Sequence, residues 1–153
     1  MLSEIDFVKN DVRAMIYNLS SWVEPEKPEK TIVNMMDQVL IHSEPYGVVL
    51  IISAWNYPFQ LIFAPLSGAI AAGNCAIVKP SELAPASSKL IAELIPKYLD
   101  NDCYQVVTGG IAETSELLKL RFDYIFFTGS THVGKIVHEA ASKFLTPVTL
   151  ELG

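Results

Sequence analysis

Apolar residues recur along this chain in two rhythms, and the change from one to the other divides it. From Ser3 to Ser20 they fall at Ile5, Val8, Val12, Met15, Ile16 and Leu19, one face of a helix, with Ser3 and Asp6 spaced as a weak capping box. The pattern ends at Trp22 and Val23. Glu24-Pro25-Glu26-Lys27-Pro28-Glu29-Lys30 follows as a charged, proline-punctuated linker, which closes an amino-terminal unit of residues 1–30. Residues 31–44 show little periodicity apart from Val39-Leu40-Ile41, which predicts a short strand.

After Pro45 short apolar runs alternate with helical stretches. Strands are predicted at Val48 to Ser53, Ala76 to Val78, Tyr104 to Val107, Tyr124 to Phe127 and Val148 to Leu150. Between them the spacing predicts helices over Phe59 to Ala72, Pro85 to Leu99, Ile111 to Leu120 and Thr131 to Phe144, with Pro96 kinking or ending the second. Strands so short and so uniformly apolar, each followed by a helix, predict a mostly parallel, doubly wound α/β sheet of the Rossmann-like, dinucleotide-binding type over residues 45–153.

In such a fold a ligand lies beyond the carboxyl ends of the strands, and the polar residues fall there. The ends deliver Trp55 and Asn56, then Lys79, Ser81 and Glu82, then Thr108, Gly109 and Gly110, then Thr128, Gly129 and Ser130, and finally Glu151. The turn at Gly129 joins an aromatic, β-branched strand directly to a helix, so its backbone N–H groups and hydroxyls suit a phosphate as well as an ordinary βα turn. Gly129-Ser-Thr-His-Val-Gly134-Lys135 matches the phosphate-loop spacing G-x-x-x-x-G-K, yet Ile136 stands where a hydroxyl must hold magnesium. The G-x-G-x-x-G fingerprint is missing too.

Composition narrows the field. With 11 basic against 17 acidic residues and a net charge of −6, nucleic acid is not an expected partner. Half the residues are hydrophobic and only 18% are charged, which predicts surfaces made to be covered. No charged residue lies between Glu44 and Lys79, but Trp55-Asn56-Tyr57-Pro58, Pro65 and Gly73-Asn74 interrupt that span, and no membrane helix is expected from it. The opening residues lack the apolar core of a signal peptide. Cys75 and Cys103 form no disulfide framework and have no metal-ligand company, so no metal and a reducing compartment are expected. Both precede their strands, on the edge away from the polar cluster, which makes either a poor nucleophile.

Four separated blocks in order resemble the signatures of the aldehyde dehydrogenase superfamily: Tyr46-Gly-Val-Val-Leu-Ile-Ile-Ser-Ala-Trp-Asn-Tyr-Pro58, Ala-Ala-Gly-Asn-Cys-Ala-Ile-Val-Lys79-Pro-Ser-Glu82, Phe-Thr-Gly129-Ser-Thr-His-Val-Gly134 and Leu-Glu151-Leu-Gly153. The first block, with Leu-Thr-Pro-Val-Thr-Leu-Glu-Leu-Gly at the end, looks most like the class 3 branch, which handles fatty and aromatic aldehydes. The resemblance implies a cytoplasmic, NAD- or NADP-dependent oxidation of a small-molecule aldehyde through a cysteine thiohemiacetal and thioester, in a full-length parent that is a dimer. Residues 31–44 would be its oligomerisation arm, and membrane attachment in this branch depends on a carboxyl tail. By the same resemblance Asn56 would donate to the oxyanion and Glu151, among Val148, Leu150 and Leu152, would be the general base. Lys79 and Glu82, one helical turn apart, would hold the adenosine ribose, Gly109, Gly129, Ser130 and Gly134 would shape the dinucleotide turns, and Trp55 would line the cofactor path.

The family's nucleophilic cysteine is expected a few tens of residues past the Glu-Leu-Gly motif, beyond Gly153. The chain alone is therefore expected to be an inactive fragment of such an enzyme. A truncated product that binds dinucleotide or pairs with subunits is the alternative.

Overall fold

The computed structural model describes residues 2–153. At its centre is a five-stranded, all-parallel sheet in the order β3-β2-β1-β4-β5, with β1 at Val48–Ile52, β2 at Cys75–Lys79, β3 at Tyr104–Val106, β4 at Tyr124–Gly129 and β5 at Val148–Leu152. Helix α1 is Leu2–Trp22, and α2 (Gln60–Ala71), α3 (Pro85–Tyr98), α4 (Ile111–Leu117) and α5 (Thr131–Ser142) cross between successive strands. The chain winds outward from β1 to β3, then returns through α4 to begin β4 on the other side of β1. The switch point therefore lies between β1 and β4.

The apolar uniformity of the inner strands β1, β2 and β4 has a simple cause, since helices cover both their faces, whereas the edge strands β3 and β5 leave Gln105 and Glu151 exposed. Leu50 and Ile52 of β1 pack with Ile125, Phe127, Leu117 of α4 and Val137 of α5 in one core. Val49 and Ile51 point the other way, to Ile62 and Leu66 of α2 and Ile91 and Ile95 of α3. Helix α1 lies outside the second core, packed on α2. No helix among the described residues is long and apolar enough to cross a membrane.

Four expectations are corrected. Ser3 lies inside α1, so it does not cap that helix. Val39-Leu40-Ile41 is not a strand: only Ile41 makes an antiparallel bridge, to Glu26, by backbone bonds of 3.0 and 2.9 Å. Pro25 and Pro28, near that bridge, have no N–H with which to lengthen the ladder. Pro96 does not stop α3, because the helix runs on to Tyr98. Finally, β4 and β5 continue to Gly129 and Leu152, so Gly129 and Glu151 belong to strands and not to the loops after them.

Candidate functional site

Each polar residue singled out in the sequence, Gly134 apart, stands at the carboxyl edge of the sheet, but the two faces receive different sets. Alternation along a strand assigns them. On the side of α4 and α5 stands Lys79, in line with Ile77 and Cys75. Its side chain is buried, 2% exposed, and its Nζ donates to Pro80 O at 3.0 Å and to Glu82 Oε2 at 3.2 Å. A buried ammonium without such partners would be strongly unfavourable. Glu82 lies in a turn ahead of α3 and not one helical turn beyond Lys79 as expected. Its own backbone N–H, and beyond it the Lys79 ammonium, hold the carboxyl below the usual range against the opposing effect of burial.

Glu113 joins this cluster, and sequence reasoning missed it. Its carboxylate accepts the Gly110 N–H at 2.7 Å, closing the first turn of α4. Its own backbone N–H and that of Gly110 hold it below the usual range. Gly109 turns the chain between β3 and α4 with φ +138°, where a Cβ would also meet Glu113 Cγ at 2.5 Å. The signal was present as Gly110-x-x-Glu113, a capping pattern with a glycine at its head.

Helix α5 starts at once after β4. Ser130 is its N-cap, and its Oγ accepts the Val133 N–H at 3.4 Å while its carbonyl accepts the Gly134 N–H at 2.9 Å. Those two donors are spent within the helix, so the expected row of free N–H groups from Gly129 to Gly134 shortens to Thr131 and His132 at the open end. Gly134 is not at that end. It is buried one turn in, where an added Cβ would lie 2.6 Å from Leu152 Cδ2, and its part is to let α5 lie close on the sheet. Gly129 is similarly tight, since a Cβ there would meet Phe127 Cζ at 2.6 Å.

The opposite face carries a second row. Ile52 pairs with Phe127, and Thr128 pairs with Glu151, so Ser53, Thr128 and Glu151 follow one another across the ends of β1, β4 and β5. The hydroxyls of Ser53 and Thr128 are buried without a partner inside the protein. Two adjacent orphaned hydroxyls at a switch point suit a polar ligand group in the crevice. Ser53 was not foreseen, because a serine at the end of an apolar run reads as a strand terminator. Glu151 is exposed, so the apolar setting expected for it does not hold: its neighbours Val148 and Leu150 turn toward the other core. Trp55, 60% exposed, and Asn56 stand on the bend between β1 and α2. The α2 end of that bend is fixed by Glu4 of α1, whose carboxylate accepts the N–H groups of Phe59 and Gln60 at 3.2 and 3.3 Å.

Cys75 opens β2 and Cys103 directly precedes β3, so both thiols lie at the far, amino edge. No grouping of three or more metal-ligating side chains occurs among the described residues.

The chain is 58% identical over 153 residues to aldehyde dehydrogenase family 3 member A2 of Macaca fascicularis, a match that covers 100% of this chain and 30% of that protein. The substrate-bound structure of Staphylococcus aureus AldH superposes with a TM-score of 0.95 at 48% identity, over 97% of this chain and 32% of that one. The Mycobacterium tuberculosis aldehyde dehydrogenase complexed with NAD+ gives a TM-score of 0.75 at 30% identity, over 94% of this chain and 30% of that one. The chain thus spans less than a third of the length of these relatives. The family model described as "Aldehyde dehydrogenase family" matches residues 3–153, and the chain belongs to that family.

Proposed function

We propose that this chain builds the cofactor cleft of an NAD- or NADP-dependent aldehyde dehydrogenase that converts aldehydes to carboxylic acids. The observation that carries the reading is the convergence of Asn56, Ser53, Thr128, Ser130 and Glu151 around the switch point between β1 and β4. The orphaned hydroxyls and the open end of α5 fit a dinucleotide, which when bound would supply the two-electron acceptor. Ser130 and the first N–H groups of α5 would take the pyrophosphate, while Lys79 and Glu82 would meet the ribose hydroxyls. Gly109 and Gly129 keep the backbone close to the ligand, and Trp55 borders its path.

Asn56 would donate its side-chain amide to the oxygen that becomes negative during attack on the aldehyde. A donor placed before the charge develops stabilises the transition state without reorganisation. Glu151 would accept a proton from the water that releases the acid. Neither Cys75 nor Cys103 reaches this edge, so we assign the nucleophilic thiolate to sequence outside these 153 residues and read the chain alone as inactive. Residues 31–44, with Ile32, Val33 and Met36 at least 90% exposed, would be the arm through which the parent dimerises. The same surface favours the second reading, a dinucleotide-binding module that pairs with a longer subunit.

Titration with NAD and NADP, followed by Trp fluorescence and thermal unfolding, tests the cleft. Saturable quenching and a raised midpoint are expected, both weakened in Lys79→Met. Failure of both dinucleotides to bind would sink the reading. In a longer product that oxidises aldehydes, Asn56→Ala should lower kcat about 10²–10³-fold with bound cofactor unchanged.

A further inference from the structure

We infer that Cys75 and Cys103 form a vicinal dithiol that hydrogen peroxide closes into a disulfide, stapling β3 to β2 at the edge remote from the cofactor cleft. Ala76 pairs with Tyr104, and the Ala76 N–H donates to Cys103 O at 2.9 Å, so the residues just before them face each other across the ladder. Neighbouring strands lie about 4.8 Å apart, inside the Cα separation of roughly 4.4–6.8 Å that a disulfide accepts. Alternation puts both side chains on one face: Ala76, Val78, Tyr104 and Val106 turn to the α2 and α3 core, and Cys75 and Cys103 turn away from it. Both thiols are half-buried and free. Cys103 ends the turn that begins at Asp100, whose carbonyl accepts its N–H at 3.2 Å, so it lies at the start of β3 and not within it.

The Cys75 thiol beside it, then burial, then the carboxylates of Asp100 and Asp102 push the Cys103 thiol up. Closure takes two displacements and can start at either sulfur, here at Cys75. Its thiolate sulfur attacks one peroxide oxygen, the O–O bond breaks, and hydroxide leaves and takes a proton to become water. The Cys103 sulfur, giving up its proton, then attacks the sulfenic sulfur, the S–O bond breaks, and a second water departs. Two thiols are oxidised by two electrons, and one peroxide is reduced to two waters.

The bridge would close a loop holding α3, Lys79 and Glu82 without touching the cleft. With only two cysteines present, the outcome is unambiguous. The 153-residue chain is titrated with hydrogen peroxide and mapped by peptide mass without reductant. The expected result is loss of both thiols together, a Cys75–Cys103 peptide pair in monomeric protein, and a thermal midpoint raised by about 5–15 °C that dithiothreitol reverses. Cys75→Ser and Cys103→Ser should each abolish the rise. Separate oxidation to sulfinic acid, a bridge between two chains, or thiols left free at peroxide concentrations that oxidise glutathione would each overturn the inference. The wild-type map decides this even where a variant folds poorly.

Discussion

The carboxylate of Glu4 accepts the backbone N–H of Phe59 at 3.2 Å across 55 residues of sequence, and so a charge on α1 closes the first turn of α2. Glu4 is buried, and the donors it covers are among those a helix start leaves unpaired. Glu4→Ala should therefore destabilise the fold by about 1–3 kcal/mol in urea unfolding, the range for stranding buried donors. An unchanged midpoint would show that water serves these N–H groups equally well.

The two orphaned hydroxyls predict a trade between stability and binding. Ser53→Ala and Thr128→Val each remove a buried polar atom that has no partner in the protein. Stability should stay level or rise by up to about 1 kcal/mol, since nothing is left unpaired. Dinucleotide affinity should fall about tenfold, which is ~1.4 kcal/mol. The positions are adjacent in register, so the double variant should not be additive.

Glu82 and Glu113 set a pH dependence of known sign. Both carboxyls are held below the usual range in the folded chain. The unfolded chain binds their protons first as pH falls, so their contribution is complete above the ordinary carboxylate range and is lost on descending through the lowered folded values. Urea midpoints measured downward from neutral pH should fall, and Glu82→Gln with Glu113→Gln should flatten that slope. A slope unchanged by both substitutions would assign it to other carboxylates.

Gly109→Ala meets two obstacles, the φ of +138° and the Glu113 side chain 2.5 Å from the new methyl group. A non-glycine residue held in such backbone costs on the order of 1–3 kcal/mol. Denaturant unfolding should show at least that loss, together with weaker dinucleotide binding as the turn before α4 shifts. Glycine at this position is required by backbone, whereas Gly134 is required by packing.

That last contrast shows where the sequence was legible. Apolar, β-branched runs announced the inner strands β1, β2 and β4, because burial on both faces leaves little room for polar residues, while the edge strands β3 and β5 still carry Gln105, Thr149 and Glu151. Trp55, Asn56, Lys79 and Ser130 could be placed at one edge because parallel strands all end on the same side. Contacts that close over long distance left no local trace. Nothing around Glu4 points to Phe59, and the pairing of Ser53 with Thr128 exists only once β1 and β4 are neighbours. Gly134 was misplaced for the converse reason: a motif that spells a loop had already become a helix at Thr131.

The central position of β1 has a consequence for how the chain is made. Its partners are Cys75–Lys79 on one side and Tyr124–Phe127 on the other, so the innermost strand is the first to be synthesised and among the last to be flanked. During translation Cys75–Lys79 can take one edge of Val48–Ile52 early, but the edge that Tyr124–Phe127 will occupy stays open while more than seventy residues follow. Parallel pairing over such separations is slow and leaves apolar strands available to wrong partners. Yield in a cell should therefore track chaperone supply and elongation rate more closely than it tracks the stability of the finished fold.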